Sequence, residues 1–398
     1  SEMCIRDSSS PFGRKLNPDL LHWAEAMRRA GYHTWYGGKW HTEGTPWNRG
    51  YEETRALFSS GGAGDRPQTH PTMRNGRPAT GYKGFTFKTN DNQPEPEKGV
   101  GLTPHTDRHI ADGAIELIRR RPEKPFFLHV NFTACHDPLL APPEFAGKYD
   151  DPTRIPLPPN FRPQHPFDWG NAGGRDEQLL PLPLQPADVK QELADIYAVI
   201  SHLDSQIGRI LDALTATGQA ANTIVIFSTD NGAAVGRHGI RGYQNMYEHA
   251  IGVPLVLHGP GMPKATRFAA QVYLRDLFPT LCELAGIAIP ETVEGKSFVP
   301  VLRGRMREIH PEVFAYWHNP LREGAFPIQR MVRTNRYKLI HYTHLNRFEL
   351  FDLKADPWEL RDLSADTAHA KTRTELQGQL EAWFAPRIAR WAKESSAR

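Results

Sequence analysis

The segment from Pro186 to Gly232 constrains the fold more than any other part of the chain. Leu193, Ile196, Tyr197, Ile200, Leu203, Ile207, Ile210 and Leu214 recur at spacings of three and four, the stripe of a long amphipathic helix over Pro186 to Leu214, and Gly218 follows as a stop signal. The β-branched run Thr223-Ile224-Val225-Ile226-Phe227 comes next and ends in Ser228-Thr229-Asp230-Asn231-Gly232. A helix returning to a short apolar strand is the unit of an α/β fold, and open α/β sheets bind ligands at the carboxyl ends of their strands. Asp230 and Asn231 place two hard oxygen donors there, which suit a divalent cation such as calcium. An ordinary strand closed by an Asx turn is the competing reading of the same residues.

Two further strand ends carry reactive side chains. A helix-like stretch from Asn17-Pro18-Asp19 to Gly31 leads into His33-Thr34-Trp35-Tyr36 and then Gly37-Gly38-Lys39-Trp40-His41. The glycines are expected to turn the backbone sharply after Tyr36, so that Lys39 and His41 project from one edge. A second helix over Asp107 to Arg120 precedes the apolar run from Pro125 to Phe132, which leads into Ala134-Cys135-His136-Asp137-Pro138. In a parallel sheet the three ends, bearing Lys39 and His41, His136, and Asp230 with Asn231, meet at one edge.

With these residues in order, the chain resembles the sulfatase family of the alkaline phosphatase-like superfamily from about Asn17 to Ser364. The likeness is carried by Gly38-Lys39-Trp40-His41, the Cys135-His136-Asp137-Pro138 region, Thr229-Asp230-Asn231-Gly232, and Gln244-Asn245-Met246-Tyr247-Glu248-His249 running into Val253-Pro254. Lys148 to Pro152, Ile155 to Phe161 and Gln164 to Asp168 are similar to bacterial sulfatase-like hydrolases. The resemblance implies a mostly parallel sheet sandwiched by helices, an alkaline phosphatase-like α/β fold with a small C-terminal α+β subdomain. It also implies hydrolysis of sulfate esters, of sulfated carbohydrates among others, with calcium as cofactor. Lys39, His41 and His136 then take catalytic roles and Asp230 and Asn231 metal-ligand roles. His238, Arg241 and Tyr243 take substrate contacts, Tyr243 standing where the family carries a sulfate-binding lysine. Phosphate or phosphonate ester hydrolysis and a noncatalytic anion- or glycan-binding relic are the alternatives.

Two family features are missing from the residues given. Members open with a strand ending in an Asp-Asp pair and then carry Cys-x-Pro-Ser-Arg or Ser-x-Pro-Ser-Arg, whose first residue becomes the formylglycine nucleophile. Cys4-Ile5-Arg6-Asp7-Ser8 does not match that motif. The expectation is therefore an amino-terminally truncated member with an incomplete calcium site, and residues 1–10 are set aside from fold reasoning.

Composition removes several other classes. A net charge of +3 over 398 residues comes without the clustered Lys/Arg tracts of a nucleic-acid binder. No apolar run approaches the roughly 18 residues of a membrane span. Three cysteines, Cys4, Cys135 and Cys282, are too few and scattered for a disulfide framework, and the last two read as small core thiols. The expected partner is a small anionic or sulfated glycan substrate, and the resemblance implies a periplasmic or secreted location.

Segments 59–104 and 141–186 read as loop-rich insertions that wall a pocket. After Gly304 the pattern changes to short alternating strands over 329–334, 337–342 and 347–353, with Asn335-Arg336 as a tight turn, and an amphipathic helix over Lys371 to Phe384 closes the chain. The expected division is an α/β core over 1–304 and a subdomain over 305–398.

Overall fold

The computed structural model describes residues 20–73, 76–318 and 328–396. Cys4 with residues 1–10, and the expected helix start at Asn17, lie outside them. Helix α1 (Trp23–Arg29) leads into β1 (His33–Trp40), β2 (Glu53–Ser60), β3 (Phe85–Lys88) and β4 (Pro94–Val100). Then come α2 (Thr106–Arg119), β5 (Phe126–Asn131), the single turn α3 (Pro143–Ala146) and the 31-residue α4 (Pro186–Ala216). Next are β6 (Val225–Ser228), α5 (Glu248–Ile251), β7 (Leu255–His258), α6 (Leu277–Leu284) and α7 (Val299–Leu302). Four strands, β8 (Glu312–Trp317), β9 (Gln329–Thr334), β10 (Tyr337–Tyr342) and β11 (Arg347–Asp352), form an antiparallel sheet before the closing helix α8 (Ala370–Ser396).

The central sheet is mixed, in the order β4-β3-β2-β1-β5, with β1 parallel to both β2 and β5. Its antiparallel half comes from β3 and β4, two strands inside the segment expected to be loop-rich. Phe-Thr-Phe-Lys alternates but spans only four residues, and Pro-Glu-Pro-Glu-Lys-Gly-Val is too polar and proline-rich to read as a strand. The expected sharp turn after Tyr36 is also corrected. β1 runs on through Gly37 and Gly38 to Trp40 with a bulge against β2. Gly38 has φ +98°, and a Cβ there would stand 2.0 Å from the Asn131 carbonyl oxygen, so glycine lets β5 approach rather than reversing the chain.

A third correction concerns the strand that carries Asp230. β6 does not join the parallel ladder of β1 and β5; it pairs antiparallel with β7 in a two-stranded sheet. Phe126 and Leu128 of β5 and Val225 of β6 nevertheless lean on one cluster, Ile115, Ile118, Ala213 and Leu214, supplied by α2 and α4. Among the described residues β5 has one hydrogen-bonded neighbour and β6 has one, so each presents an open edge. Ile200, counted in the apolar stripe of α4, is 43% exposed.

The C-terminal sheet is joined to the rest through a shared core. Trp169, Met246 and Tyr247 pack with Met331, Ile340, Tyr342 and Phe351. The far face of that sheet is covered by Leu376, Leu380 and Phe384 of α8.

Buried histidines make the stability of this fold pH-dependent. Burial holds the imidazoles of His129, His165 and His341 down to about 4 and that of His238 to about 3, so each is neutral in the folded protein and titrates near 6.5 when unfolded. Between about pH 4 and 6.5 the unfolded chain binds more protons, and stability rises with pH across that window. Glu177 and Glu349, pushed up to about 7 by burial, and Asp107, Glu192 and Glu359, also raised, oppose this slope. Among the described residues these five acids stand against nine lowered histidines, since His109, His136, His202, His249 and His318 are held down as well. The expected result is a Tm that falls steadily as pH is lowered from 6.5 to 4; a Tm that is flat or higher at pH 4.5 contradicts it.

Candidate active site

Lys39, at the end of β1, is half-buried, and its ammonium stands 5.1 Å above the ring of Tyr82. Burial lowers its pKa and the Asp230 carboxylate opposes that shift, which places the tip of β6 within electrostatic reach of β1. The strand end is pinned from below. The Tyr36 hydroxyl donates to the Lys39 carbonyl and accepts from the Asn131 amide at 2.7 Å. His41 is exposed, its ring 5.3 Å from Phe85 and 6.4 Å from Tyr82.

His136 follows β5 and meets the same tyrosine edge-on, ring centroids 4.5 Å apart. Its Nδ1 donates to the Asp137 carbonyl at 2.6 Å and lies 3.3 Å from the Asp137 carboxylate. A carbonyl only accepts, so the neutral ring carries its proton on Nδ1 and leaves Nε2 bare. Burial lowers the His136 pKa, with Asp137 pulling the other way. Cys135, expected as a core thiol, lies exposed in the turn after β5; Cys282 is buried as expected. Although the residue is exposed, desolvation of its sulfur by the surrounding chain, with Asp107 nearby, pushes the Cys135 thiol up to about 11, so it is protonated at neutral pH.

Asp230 is exposed, and its carboxylate accepts the Asn231 backbone N–H at 3.0 Å. Asn231 donates its amide nitrogen to the Gly232 carbonyl at 2.8 Å, leaving the amide oxygen for a ligand. A Cβ at Gly232 would sit 1.9 Å from the His249 carbonyl oxygen, so this turn closes only with glycine. As cation ligands these two residues fit in kind and fall short in number. Calcium takes about six to eight oxygens, and among the described residues no group of three or more His, Cys, Asp or Glu gathers around a common point.

The three expected substrate contacts divide. Tyr243 is on this side of the molecule, its hydroxyl pushed up to about 12 by burial and by Asp176, with Asp230 and Asp137 adding to the shift. Arg241 is elsewhere engaged: its guanidinium meets the buried Glu192 at 2.5 Å and 2.6 Å. His238 is 4% exposed, stacked on Tyr247 with centroids 3.9 Å apart and within hydrogen-bond distance of the Asn160 amide at 3.0 Å. Arg241 also donates to the Asp176 carbonyl at 3.4 Å, beside Arg175, but its charge is taken up by Glu192, and His238 is packed on Tyr247.

Two residues that the sequence did not single out belong to this constellation. Tyr82 touches Lys39, His41 and His136, and its buried hydroxyl has no hydrogen-bond partner among the described residues. Arg175 pairs with Asp137, and with Asp176 at 2.8 Å, and remains 43% exposed; burial lowers its pKa but the two carboxylates more than offset that. Both come from the insertions, where no periodicity marks a position.

Comparison with known proteins places this arrangement. A family model described as Sulfatase matches residues 11–287, and one described as N-sulphoglucosamine sulphohydrolase, C-terminal, matches residues 236–385. A Delta 4,5-hexuronate-2-O-sulfatase of Bacteroides thetaiotaomicron is 29% identical over 326 residues, 75% of this chain and 65% of that protein. An arylsulfatase of Clostridium perfringens is 32% identical over 269 residues, 65% of this chain and 53% of that protein. The match thus spans less than two thirds of either relative. Among solved structures, a phosphonate monoester hydrolase from Silicibacter pomeroyi superposes with a TM-score of 0.72 at 21% identity, over 93% of this chain and 81% of that one. That likeness establishes the fold, an α/β core of alkaline phosphatase-like type with a C-terminal antiparallel sheet.

Proposed function

The chain belongs to the sulfatase family, and from that premise we propose that its site serves the hydrolysis of a sulfate ester carried by a carbohydrate. The observation that carries this reading is the convergence of Lys39, His41 and His136 on Tyr82, with Asp230 in electrostatic reach of Lys39. Ester cleavage at sulfur needs charge neutralisation on the nonbridging oxygens, an activated nucleophile and a proton for the leaving alcohol. Lys39 holds a sulfate oxygen. His41 would orient or deprotonate the hydrated nucleophile that a joined family segment supplies, and His136 would serve the leaving oxygen. Tyr243 contacts the sulfate. The family is generally metal-dependent, and Asp230 and Asn231 offer two oxygens toward calcium.

The His136 geometry sharpens its role. With Nδ1–H committed to Asp137, Nε2 can give a proton only when the ring is an imidazolium, and the pKa for that lies below 6.5. In a chain joined to a family segment that supplies the nucleophile, turnover of unactivated alkyl sulfates is expected to decline as pH rises, starting below the ordinary imidazole range, while 4-nitrophenyl sulfate declines less. His136→Ala is expected to reduce the alkyl ester rate far more than the aryl rate, since a good leaving group needs little proton donation. Equal losses on both esters reject the leaving-group role. The reading as a whole is tested on the same joined chain with matched 4-nitrophenyl sulfate, phosphate and phenylphosphonate. Faster sulfate cleavage supports it, faster phosphate or phosphonate cleavage transfers the site to that ester class, and binding without turnover marks a noncatalytic relic.

A further inference from the structure

A cavity of about 200 Å³ opens between the first turn of α2, α3 and the middle of α4, lined by His105, Arg108, His202, Ser205, Gln206 and Arg209. None of these residues is among those gathered around Tyr82. Four observations give the cavity a chemical character. His202 is only 3% exposed and lines the cavity, yet its ring makes no hydrogen bond among the described residues. Burial holds it down to about 4, so at neutral pH it is uncharged and has one N–H to donate. Arg108 is exposed and makes no hydrogen bond or ion pair among the described residues, although it lies close enough to lower the His202 pKa further. Arg209 is fixed in place, donating to Asp112 at 2.5 Å and to the Gln206 oxygen at 2.7 Å.

The fourth observation is the helix terminus. α2 has 14 residues, and its N-cap, His105, provides no side-chain cap, so first-turn N–H groups add positive potential. The acid of that turn, Asp107, is used elsewhere, accepting from the Thr133 N–H and hydroxyl at 2.8 Å and 2.9 Å. Glu144 is the one carboxylate on the lining and is exposed. Two guanidiniums, a neutral imidazole donor and a helix N-terminus form a donor-rich cavity with little to accept. We propose that this cavity binds a small tetrahedral oxyanion, sulfate or phosphate, as the free ion or as the ester group of a larger molecule.

Equilibrium dialysis of the 398-residue chain against radiolabelled sulfate reads bound ion whatever the association state. Sodium chloride holds the ionic strength constant. Sulfate is expected to bind in preference to chloride. Arg108→Ala, at an exposed position that the fold does not need, is expected to weaken it at least tenfold, and His202→Gln to weaken it by a comparable factor. Against a Lys39→Ala background, which removes the sulfate-holding cation above Tyr82, the label reads the cavity alone, and Arg108→Ala is expected to weaken binding at least tenfold there too. Competition separates the sources: a sulfated monosaccharide that displaces the label better than inorganic sulfate assigns an ester group, and the reverse order assigns the free ion, either order being consistent with the site. No sulfate binding in the Lys39→Ala background, binding there unaffected by Arg108→Ala, or no preference over chloride overturns the proposal.

Discussion

Asp230→Ala is expected to abolish both calcium affinity and turnover once the chain is joined to a segment bearing the formylglycine nucleophile. The turn that presents Asp230 is built for one position: Asn231 N–H holds the carboxylate at 3.0 Å, and Gly232 lets the chain pass beneath the His249 carbonyl. Removing a ligating carboxylate takes away charge and geometry together, and a loss of several kcal/mol in transition-state stabilisation is about a thousandfold or more in rate. The effect on Lys39 gives a second readout. Asp230 supports the protonated amine against burial, so its loss is expected to lower the Lys39 pKa further, measurable by NMR titration of the lysine side chain. Asp230→Ala with undiminished calcium binding removes Asp230 from the metal shell; unchanged calcium binding with lost turnover confines it to holding Lys39.

The second large effect concerns association. β5 and β6 each offer an unpaired edge among the described residues, and both rest on the same α2 and α4 side chains. Near the β6 edge Phe227 is 38% exposed, and Val256 of its partner strand is 56% exposed. Open strand edges beside exposed apolar side chains template pairing with other chains. The isolated 398-residue chain is therefore expected to self-associate at micromolar concentration in sedimentation velocity, with Phe227→Lys shifting the distribution toward monomer. A monodisperse monomer that unfolds in one cooperative transition contradicts this.

Much of the fold is written in local pattern. The three-and-four spacing from Leu193 to Leu214 marks α4, and β9, β10 and β11 announce themselves by short apolar runs and the two-residue turn at Asn335-Arg336. β8 carries an apolar, aromatic run, Val313 to Trp317, which reads as a strand although it is not among those expected, and β3 and β4 are too short or too polar to mark themselves. The same division runs through the site. Lys39 and His136 follow from the ends of the paired parallel strands β1 and β5, whereas Asp230 reaches them from a separate two-stranded sheet that the sequence did not reveal. The surroundings of His238 and Arg241 depend on Asn160 and Glu192, many residues away in sequence, and nothing in His238-Gly239-Ile240-Arg241 reveals that those partners claim them. Tyr82 was missed for the converse reason: an insertion with no period delivers the one ring on which three candidate catalytic side chains meet.

The most direct measurement of the central claim is the hydrolysis of 4-nitrophenyl sulfate by the chain before and after the nucleophile segment is supplied, with Lys39→Ala beside it. The 398 residues contain no Cys-x-Pro-Ser-Arg or Ser-x-Pro-Ser-Arg, and Cys135 holds its proton up to about 11, so no hydrolysis is expected beforehand. Metal-dependent hydrolysis is expected afterwards, lost on Lys39→Ala. Turnover by the chain alone, or turnover of the joined chain that survives Lys39→Ala, contradicts a sulfate-cleaving site assembled from the ends of β1, β5 and β6.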